Sequence, residues 1–533
     1  MGISETHIKE ATERMRALYG ENKKITDDNY DKSLAVKCIN GTFVGQRYDD
    51  VIAYRGIPFV GKQPVGKYRW KAPVDFVKDD GVYEAYYFGR VPCQGEDLRQ
   101  IGSLYPAGED CLHLNVWKAE DACVEKKPVI VWIHGGAYEV GSTAEPREEG
   151  TAYVQENPDI IFASIEYRLG VYGFIHLSHL PDGGDYPDAQ NLGLMDQMMA
   201  LKWLHENIAF FGGDPENVTI IGESAGAGSA CLLPLVEGSH KYFKRVIAQS
   251  GSVTMTRNTE QAIACTKELL ESIGCKTVTD LQKMDPMKLV EAAEVISMRM
   301  FPEKDGKYLP KDPWAAYENG AAKDIDFLQG CNKDELCYVV SAAGVEAAHM
   351  FGADGAASKI AELTEEEKAL VESYCNDESI LKPDYSGELR LVEQIAFVAP
   401  MIRMSEVQTK GGGKSYSYYF MPESAVPLMH CAHTMEIAIV FNHPEETLIS
   451  GRKFDETFEK IMRRMWIQFA KTGNPSLTED ISPDGKAYEW PLYDLENRQV
   501  MALDEFNIRP EKEADLKIVD WDRTMFLTDY YFI

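Results

Sequence analysis

Six stretches of this chain are apolar along most of their length instead of on every second residue. They are 128–136 (PVIVWIHGG), 159–168 (DIIFASIEYR), 217–224 (NVTIIGES), 243–251 (FKRVIAQSG), 325–332 (IDFLQGCN) and 416–421 (YSYYFM). A strand with one wet face alternates polar and apolar side chains, whereas a continuous apolar run ending in turn residues marks a strand buried on both faces. Between two of these runs, residues 193–213 carry a helical period. Leu194, Met198, Leu201, Leu204 and Ile208 fall on one side, and Gly212 and Gly213 end the segment. Buried strands alternating with helices predict an α/β fold, with a central, mostly parallel sheet and helices on both faces.

The rest of the chain fits around that sheet. Residues 3–20 read as a helix with Ile8, Ala11, Met15 and Leu18 on one face and Gly20 as its stop. A polar stretch and a β-rich segment from about Leu34 to Pro58 follow. The segments 253–320 and 340–410 carry helical patterns without buried strands, among them 364–375 (TEEEKALVESYC) with Thr364 as N-cap. The run Gly411-Gly412-Gly413 is a loop and not a linker, because a strand follows at once. The organisation predicted is an N-terminal helical extension (1–30) and one domain (31–533) with cap-like helical insertions around 253–320 and 340–410.

Composition narrows the functional classes. With 44% apolar and 26% charged residues the chain can bury a large core. Its net charge of −30 argues against nucleic acid and anionic membrane surfaces as partners. No run of eighteen apolar residues exists to span a membrane. The N-terminus, MGISETHIKEATERMRAL, lacks an apolar signal core. The expectation is a cytoplasmic protein, or a secreted one if a leader has been removed. The eleven cysteines are scattered, and most read as small buried apolar residues.

The strand at 217–224 runs into Gly222-Glu223-Ser224-Ala225-Gly226, and a small-residue helix follows. That is G-x-S-x-G in the strand–turn–helix context that a nucleophile elbow requires. The tight turn exposes the serine hydroxyl, its flanking residues must be small, and the helix N-terminus faces the place where negative charge would develop. The segment HGGAY (134–138), just past another buried strand, is placed to supply backbone N–H donors to an oxyanion.

In order along the chain stand YRGIPFV (54–60), EDCLHLNVW (109–117), HGGAY, EYRLGVYGF (166–174), NLGLMDQMMALKW (191–203), FFGGDPENVTIIGESAGAGS (210–229), FAKTGNPS (469–476) and WPLYD (490–494). This series resembles the type-B carboxylesterase family, which includes the cholinesterases and the bacterial para-nitrobenzyl esterases. The resemblance implies an α/β-hydrolase fold whose helical insertions roof the active site. It implies hydrolysis of short or medium acyl or aryl esters through an acyl-enzyme, with a small-molecule ester as substrate and no metal or organic cofactor. It implies Ser224 as nucleophile, Glu335 in CNKDEL (331–336) as the acid, with Leu336 where relatives carry glycine, and His433 in AHTMEIAIVF (432–441) as the base. Asp334 and His430 are the competing neighbours. The oxyanion donors implied are the N–H groups of Gly136, Ala137 and Ala225, Ala137 replacing a glycine of many relatives.

The same resemblance pairs Cys93 with Cys111 as a disulfide, pairs Cys265 with Cys275 less well, and aligns Arg69 and Glu109 with a structural ion pair. Without a signal sequence, free thiols at 93 and 111 are the other reading. The loop between those two cysteines holds Tyr105 but no tryptophan, which argues against a choline ester. Two alternatives remain: a non-catalytic adhesion module on the same fold, and a narrower feruloyl- or lactone-type esterase. The intact serine argues against the first.

Overall fold

The computed structural model describes residues 5–97, 100–121, 125–343, 364–376 and 387–518. They form two compact units: Thr6–Ile247 with Met255–Pro313, and Ala248–Thr254 with Trp314 onward.

The larger unit is built on strands β1 (Gln46–Tyr48), β2 (Val51–Pro58), β3 (His113–Ala119), β4 (Lys127–Ile133), β5 (Ile161–Ile165) and β6 (Gly213–Glu223). Their order is β6-β4-β5-β3-β2-β1. β4 lies parallel to both neighbours, with Val131 opposite Ile220 and Ala163. The β5–β3, β3–β2 and β2–β1 pairs are antiparallel. The runs at 128–136, 159–168 and 217–224 are therefore buried parallel strands, as their pattern predicts. β3 escapes that pattern because its interior carries Asn115, buried and hydrogen-bonded through Nδ2 to Thr143 Oγ1 and Ser164 Oγ at 3.0 Å each. The β-rich segment near residue 40 forms a separate small sheet, Lys24–Ile25, Asp79–Glu84, Asn40–Val44 and Ala35–Cys38.

Helices follow the same logic. α1 (Glu5–Arg16) stops one turn before Gly20 and buries Ala11 and Met15. Tyr19 beyond it stacks on Tyr105 with ring centroids 4.1 Å apart. α2 (Leu192–Asn207) ends in a tight 3-10 turn that Gly212 closes at φ +93°. The apolar stripe read there is incomplete: Met198 is only half-buried, while Asp196 is fully buried. Asp196 is held by Arg168, whose Nε and Nη2 each donate at 2.7 Å. That bidentate geometry keeps two buried charges compensated. α3 (Ala225–Leu232) follows β6 with the single residue Ser224 between them. In the insertion at 253–320, α4 (Thr259–Ile273) starts at Asn258 in a capping box with Gln261, and three shorter helices follow.

β7 (Arg245–Gln249) carries the chain into the smaller unit. There β8 (Asp326–Asn332), β9 (Ser415–Phe420) and β10 (Gln499–Asp504) are parallel, and β11 (Asn507–Lys512) closes the edge antiparallel to β10. In the insertion at 340–410, α5 (Glu365–Cys375) and α6 (Ala399–Lys410) are helices where the sequence predicts them. Residues 344–363 and 377–386 of that expectation lie outside the described residues.

The tightest constraint is where β6 turns into α3. A Cβ on Gly226 would lie 2.0 Å from the carbonyl oxygen of Ile133, the last residue of β4, and one on Gly222 would lie 2.3 Å from Gly226 O. Both contacts are with backbone, which cannot rotate away. Nearby, the buried carboxyl of Glu148 accepts a hydrogen bond from Trp132 Nε1 at 2.6 Å, and burial pushes its pKa up to about 7, with Arg147 opposing.

Two expectations follow from this core. Gly226→Ala should lower unfolding stability by about 3 kcal/mol or more, read from the urea midpoint, since overpacking against fixed backbone lies at the top of the usual range. Glu148 holds a proton in the fold that it loses in the unfolded chain above pH 4.5, so its stabilising share is complete below that pH and disappears as pH rises through about 7. Glu148→Gln keeps an acceptor for Trp132 and removes this slope. Between pH 5 and pH 8 the wild-type chain should lose up to about 3 kcal/mol more than the variant in urea titrations.

Candidate active site

Ser224 sits at the turn between β6 and α3 with φ +55° and ψ −123°, a conformation that non-glycine residues rarely adopt. Such strain persists only where the surroundings fix it, and here the glycine contacts around the turn do so. Ala225 begins α3, so its N–H lies in the first turn, which has no intrahelical acceptor. The HGGAY loop lies beside it: a Cβ on Gly135 would come within 3.2 Å of Ser224 Cβ. Gly136, Ala137 and Tyr138 follow at φ +105°, +55° and +61°. These positive-φ residues lie in a turn whose Gly136 O accepts from Glu139 N and Val140 N at 2.9 Å each. Ala137 thus takes a backbone conformation suited to glycine and keeps its N–H. The loop is braced from behind, where Tyr167 Oη donates to His134 O at 2.8 Å and Gly170 N to Tyr138 O at 2.7 Å. Ser224, Ala225, Gly136 and Ala137 all belong to the larger unit.

The smaller unit brings His433 and Glu335 together. His433 Nδ1 and Glu335 Oε2 are 2.6 Å apart, so Nδ1 carries the proton and donates it, leaving Nε2 as the acceptor. The other carboxylate oxygen accepts from Ser250 Oγ at 2.6 Å and Asn332 N at 2.7 Å. Glu335 is 1% exposed. With its oxygens engaged by three donors, it is held as an orienting acceptor for the imidazole. His433 also packs against aromatic rings, Phe397 at 5.0 Å and Tyr338 at 6.0 Å between centroids. Phe397 is presented by a π-helical turn, Gln394–Val398, immediately before α6.

The competing neighbours have other partners. Asp334 Oδ1 accepts from Arg390 Nη1 at 2.6 Å, and the same guanidinium nitrogen donates to Lys333 O at 2.9 Å and Glu393 Oε1 at 2.8 Å. Asp334 N donates to Cys431 O at 3.0 Å, which ties the loop of Glu335 to the loop of His433. Leu336 keeps out of the positive-φ region, and its N–H reaches Glu393 Oε2 at 3.2 Å, so the loop accommodates the departure from glycine. His430 Nδ1 faces Glu423 Oε2 at 3.3 Å. Behind Glu335 lies a second buried carboxyl, Glu436, raised by burial and then by the Glu335 charge. It accepts from Gln249 Nε2 at 2.9 Å and Asn332 Nδ2 at 2.6 Å. Asn332 and Glu436 lie within the CNKDEL and AHTMEIAIVF segments but have no role assigned there, whereas Ser250 and Phe397 lie outside the motifs that mark the site. Ser250 has one trace only, its place straight after a buried strand and before glycine.

Cys93 and Cys111 are both buried, stand as free thiols in this structure and line one small cavity together. Burial pushes the Cys93 thiol up to about 12, which suppresses the thiolate that oxidation and exchange require. Cys265 and Cys275 are likewise free. The expected ion pair is present, with Arg69 Nε and Nη2 on the two Glu109 oxygens at 2.5 and 2.6 Å. Among the described residues, no helix is long and apolar enough to cross a membrane.

Comparison with known proteins agrees with this architecture. Residues 31–518 match the model of the Carboxylesterase family. The para-nitrobenzyl esterase of Bacillus subtilis (strain 168) is 31% identical over 495 residues, covering 89% of this chain and 96% of that protein. An acetylcholinesterase of Leptinotarsa decemlineata is 28% identical over 515 residues, covering 84% and 78%. Among solved structures, a Geobacillus stearothermophilus carboxylesterase at pH 6.2 superposes with a TM-score of 0.78 at 30% identity, covering 91% of this chain and 99% of that one. A family match over most of the chain, together with the parallel strands and the glycine-flanked serine turn, shows that this chain belongs to the carboxylesterase family and has the α/β-hydrolase fold.

Proposed function

We propose that the protein is a serine carboxylesterase that cleaves short or medium acyl and aryl esters through a covalent acyl-enzyme. Ser224 is the nucleophile, His433 the base and Glu335 the residue that orients and charge-stabilises the imidazole. The observation that carries this reading is the strained turn at Ser224, at the N-terminal end of α3 and against the HGGAY loop. Family membership and the His433–Glu335 hydrogen bond support it.

In this reading Ser224 Oγ attacks the ester carbonyl carbon while its proton passes to His433 Nε2. The tetrahedral oxyanion is held by the N–H groups of Gly136, Ala137 and Ala225, each such donor being worth about 3–4 kcal/mol of barrier. His433 then gives the proton to the departing alkoxide, and water repeats the sequence on the acyl-enzyme. Glu335 accepts from Nδ1–H throughout, which keeps Nε2 aimed at the reacting oxygen. A choline ester is disfavoured as substrate. The Tyr105 ring, the aromatic side chain of the loop where a cation would dock in cholinesterases, is stacked on Tyr19.

A panel of p-nitrophenyl esters of increasing chain length tests the assignment. Wild-type protein should turn over the short and medium members, and Ser224→Ala should lose roughly ten-thousand-fold or more in kcat with an unchanged circular dichroism spectrum. A fluorophosphonate should label Ser224, and turnover by the alanine variant within a hundredfold of wild type would overturn the reading. Glu335→Gln should lower kcat by about ten-thousand-fold with little change in KM, because it misorients the base without touching the substrate. Asp334→Asn with equal or larger effect on kcat and normal stability would reassign the acid.

A further inference from the structure

A hydrogen-bonded chain of serine, histidine and carboxylate lies wholly within the larger unit. Ser178 Oγ is 3.0 Å from His176 Nε2, and His176 Nδ1 is 2.7 Å from Glu303 Oε2. The carboxylate is 1% exposed. Its other oxygen accepts from Thr259 Oγ1 at 2.5 Å. Its backbone is clamped to one side chain, with Glu303 N donating to Asn191 Oδ1 at 2.8 Å and Asn191 Nδ2 to Glu303 O at 3.0 Å. Three separate segments thus fix one carboxylate behind one imidazole.

The protonation pattern follows from the partners. A carboxylate facing Nδ1 takes the proton-bearing nitrogen, so Nε2 keeps its lone pair and accepts from the Ser178 hydroxyl. Ser178 is exposed, whereas His176 and Glu303 are buried. An exposed hydroxyl, a base with the correct nitrogen turned towards it and a buried acid behind are the parts that make a serine nucleophilic. The neighbouring His179, whose ring lies 5.4 Å from that of His176, is disfavoured as a cation by burial and by His176.

We propose that Ser178 is a second acyl-accepting serine, activated by His176 and Glu303 and independent of Ser224. The acyl donors it takes are small activated esters with good leaving groups, such as aryl acetates. Water at this exposed position solvates the tetrahedral oxyanion, so the leaving group must depart readily. In the step, the Ser178 Oγ–carbonyl carbon bond forms and the carbonyl carbon–aryloxide bond breaks. The hydroxyl proton passes to His176 Nε2 and then to the aryloxide. The products are an O-acyl Ser178 and a phenol, and His176 returns to its starting form.

The test uses the full chain carrying Ser224→Ala, treated with p-nitrophenyl acetate at neutral pH and followed by intact mass and peptide mapping. The expected result is one acetyl group on Ser178. Its rate of formation should fall at least about tenfold when His176→Gln is added, the usual lower range for losing a general base being larger still. Should His176→Gln not fold, Ser178→Cys provides the second measurement. The thiol it introduces should react with iodoacetamide at least about tenfold faster than that of the part-exposed Cys275 in the same chain. No acetyl group on Ser178, an acetylation rate indifferent to His176, or an introduced thiol no faster than Cys275 would each overturn the proposal. None of these outcomes bears on Ser224, which is absent from the tested protein.

Discussion

The close approach of two backbones at the end of β6 is the constraint on which the larger unit turns. β4 ends at Ile133 and α3 begins at Ala225, and there is no room for a side chain between Ile133 O and Gly226. Because the helix must start so close to the neighbouring strand, the residue between strand and helix takes the strained geometry seen at Ser224. The cost is borne by the buried β6–β4–β5 strands, whose apolar side chains keep the turn from relaxing. The same crowding brings Gly135 against Ser224, so the serine turn and the HGGAY loop share one origin.

The smaller unit solves a different problem. The carboxylate that faces the imidazole here is buried, and buried acceptors need donors. The loop at 331–336 answers with donors: Ser250 and Asn332 on one oxygen of Glu335, His433 on the other. Asp334, one residue earlier, serves the loop itself through Arg390 and the backbone of Cys431. Two adjacent acids therefore divide the work, one facing the imidazole and the other joining the loops.

Much of this is legible in the one-dimensional pattern, and the failures have physical causes. Strands that are apolar throughout, such as β4 and β5, announce themselves. β3 does not, because Asn115 is buried and polar but satisfied by partners 28 and 49 residues away, Thr143 and Ser164. The apolar stripe of α2 is blurred by Asp196, whose burial makes sense only with Arg168 in place. In the small sheet Asp79–Glu84 pairs with Lys24–Ile25 and Asn40–Val44 from far earlier in the chain, and periodicity does not reveal such partners. Ser250 meets Glu335 and Phe397 meets His433 only through tertiary proximity, and nothing in their own neighbourhoods reports it.

The amino-acid sequence alone determined the local backbone: where strands lie buried, where a serine is forced onto a tight bend between small residues, and where glycine leaves N–H groups uncovered. Those features depend on steric rules that act over a few residues. Tertiary structure alone decided which of two adjacent carboxylates faces His433 and that Ser178, His176 and Glu303 form a chain. Neighbouring side chains in a turn point in different directions, and their partners lie tens to hundreds of residues away, so only the folded geometry selects among them.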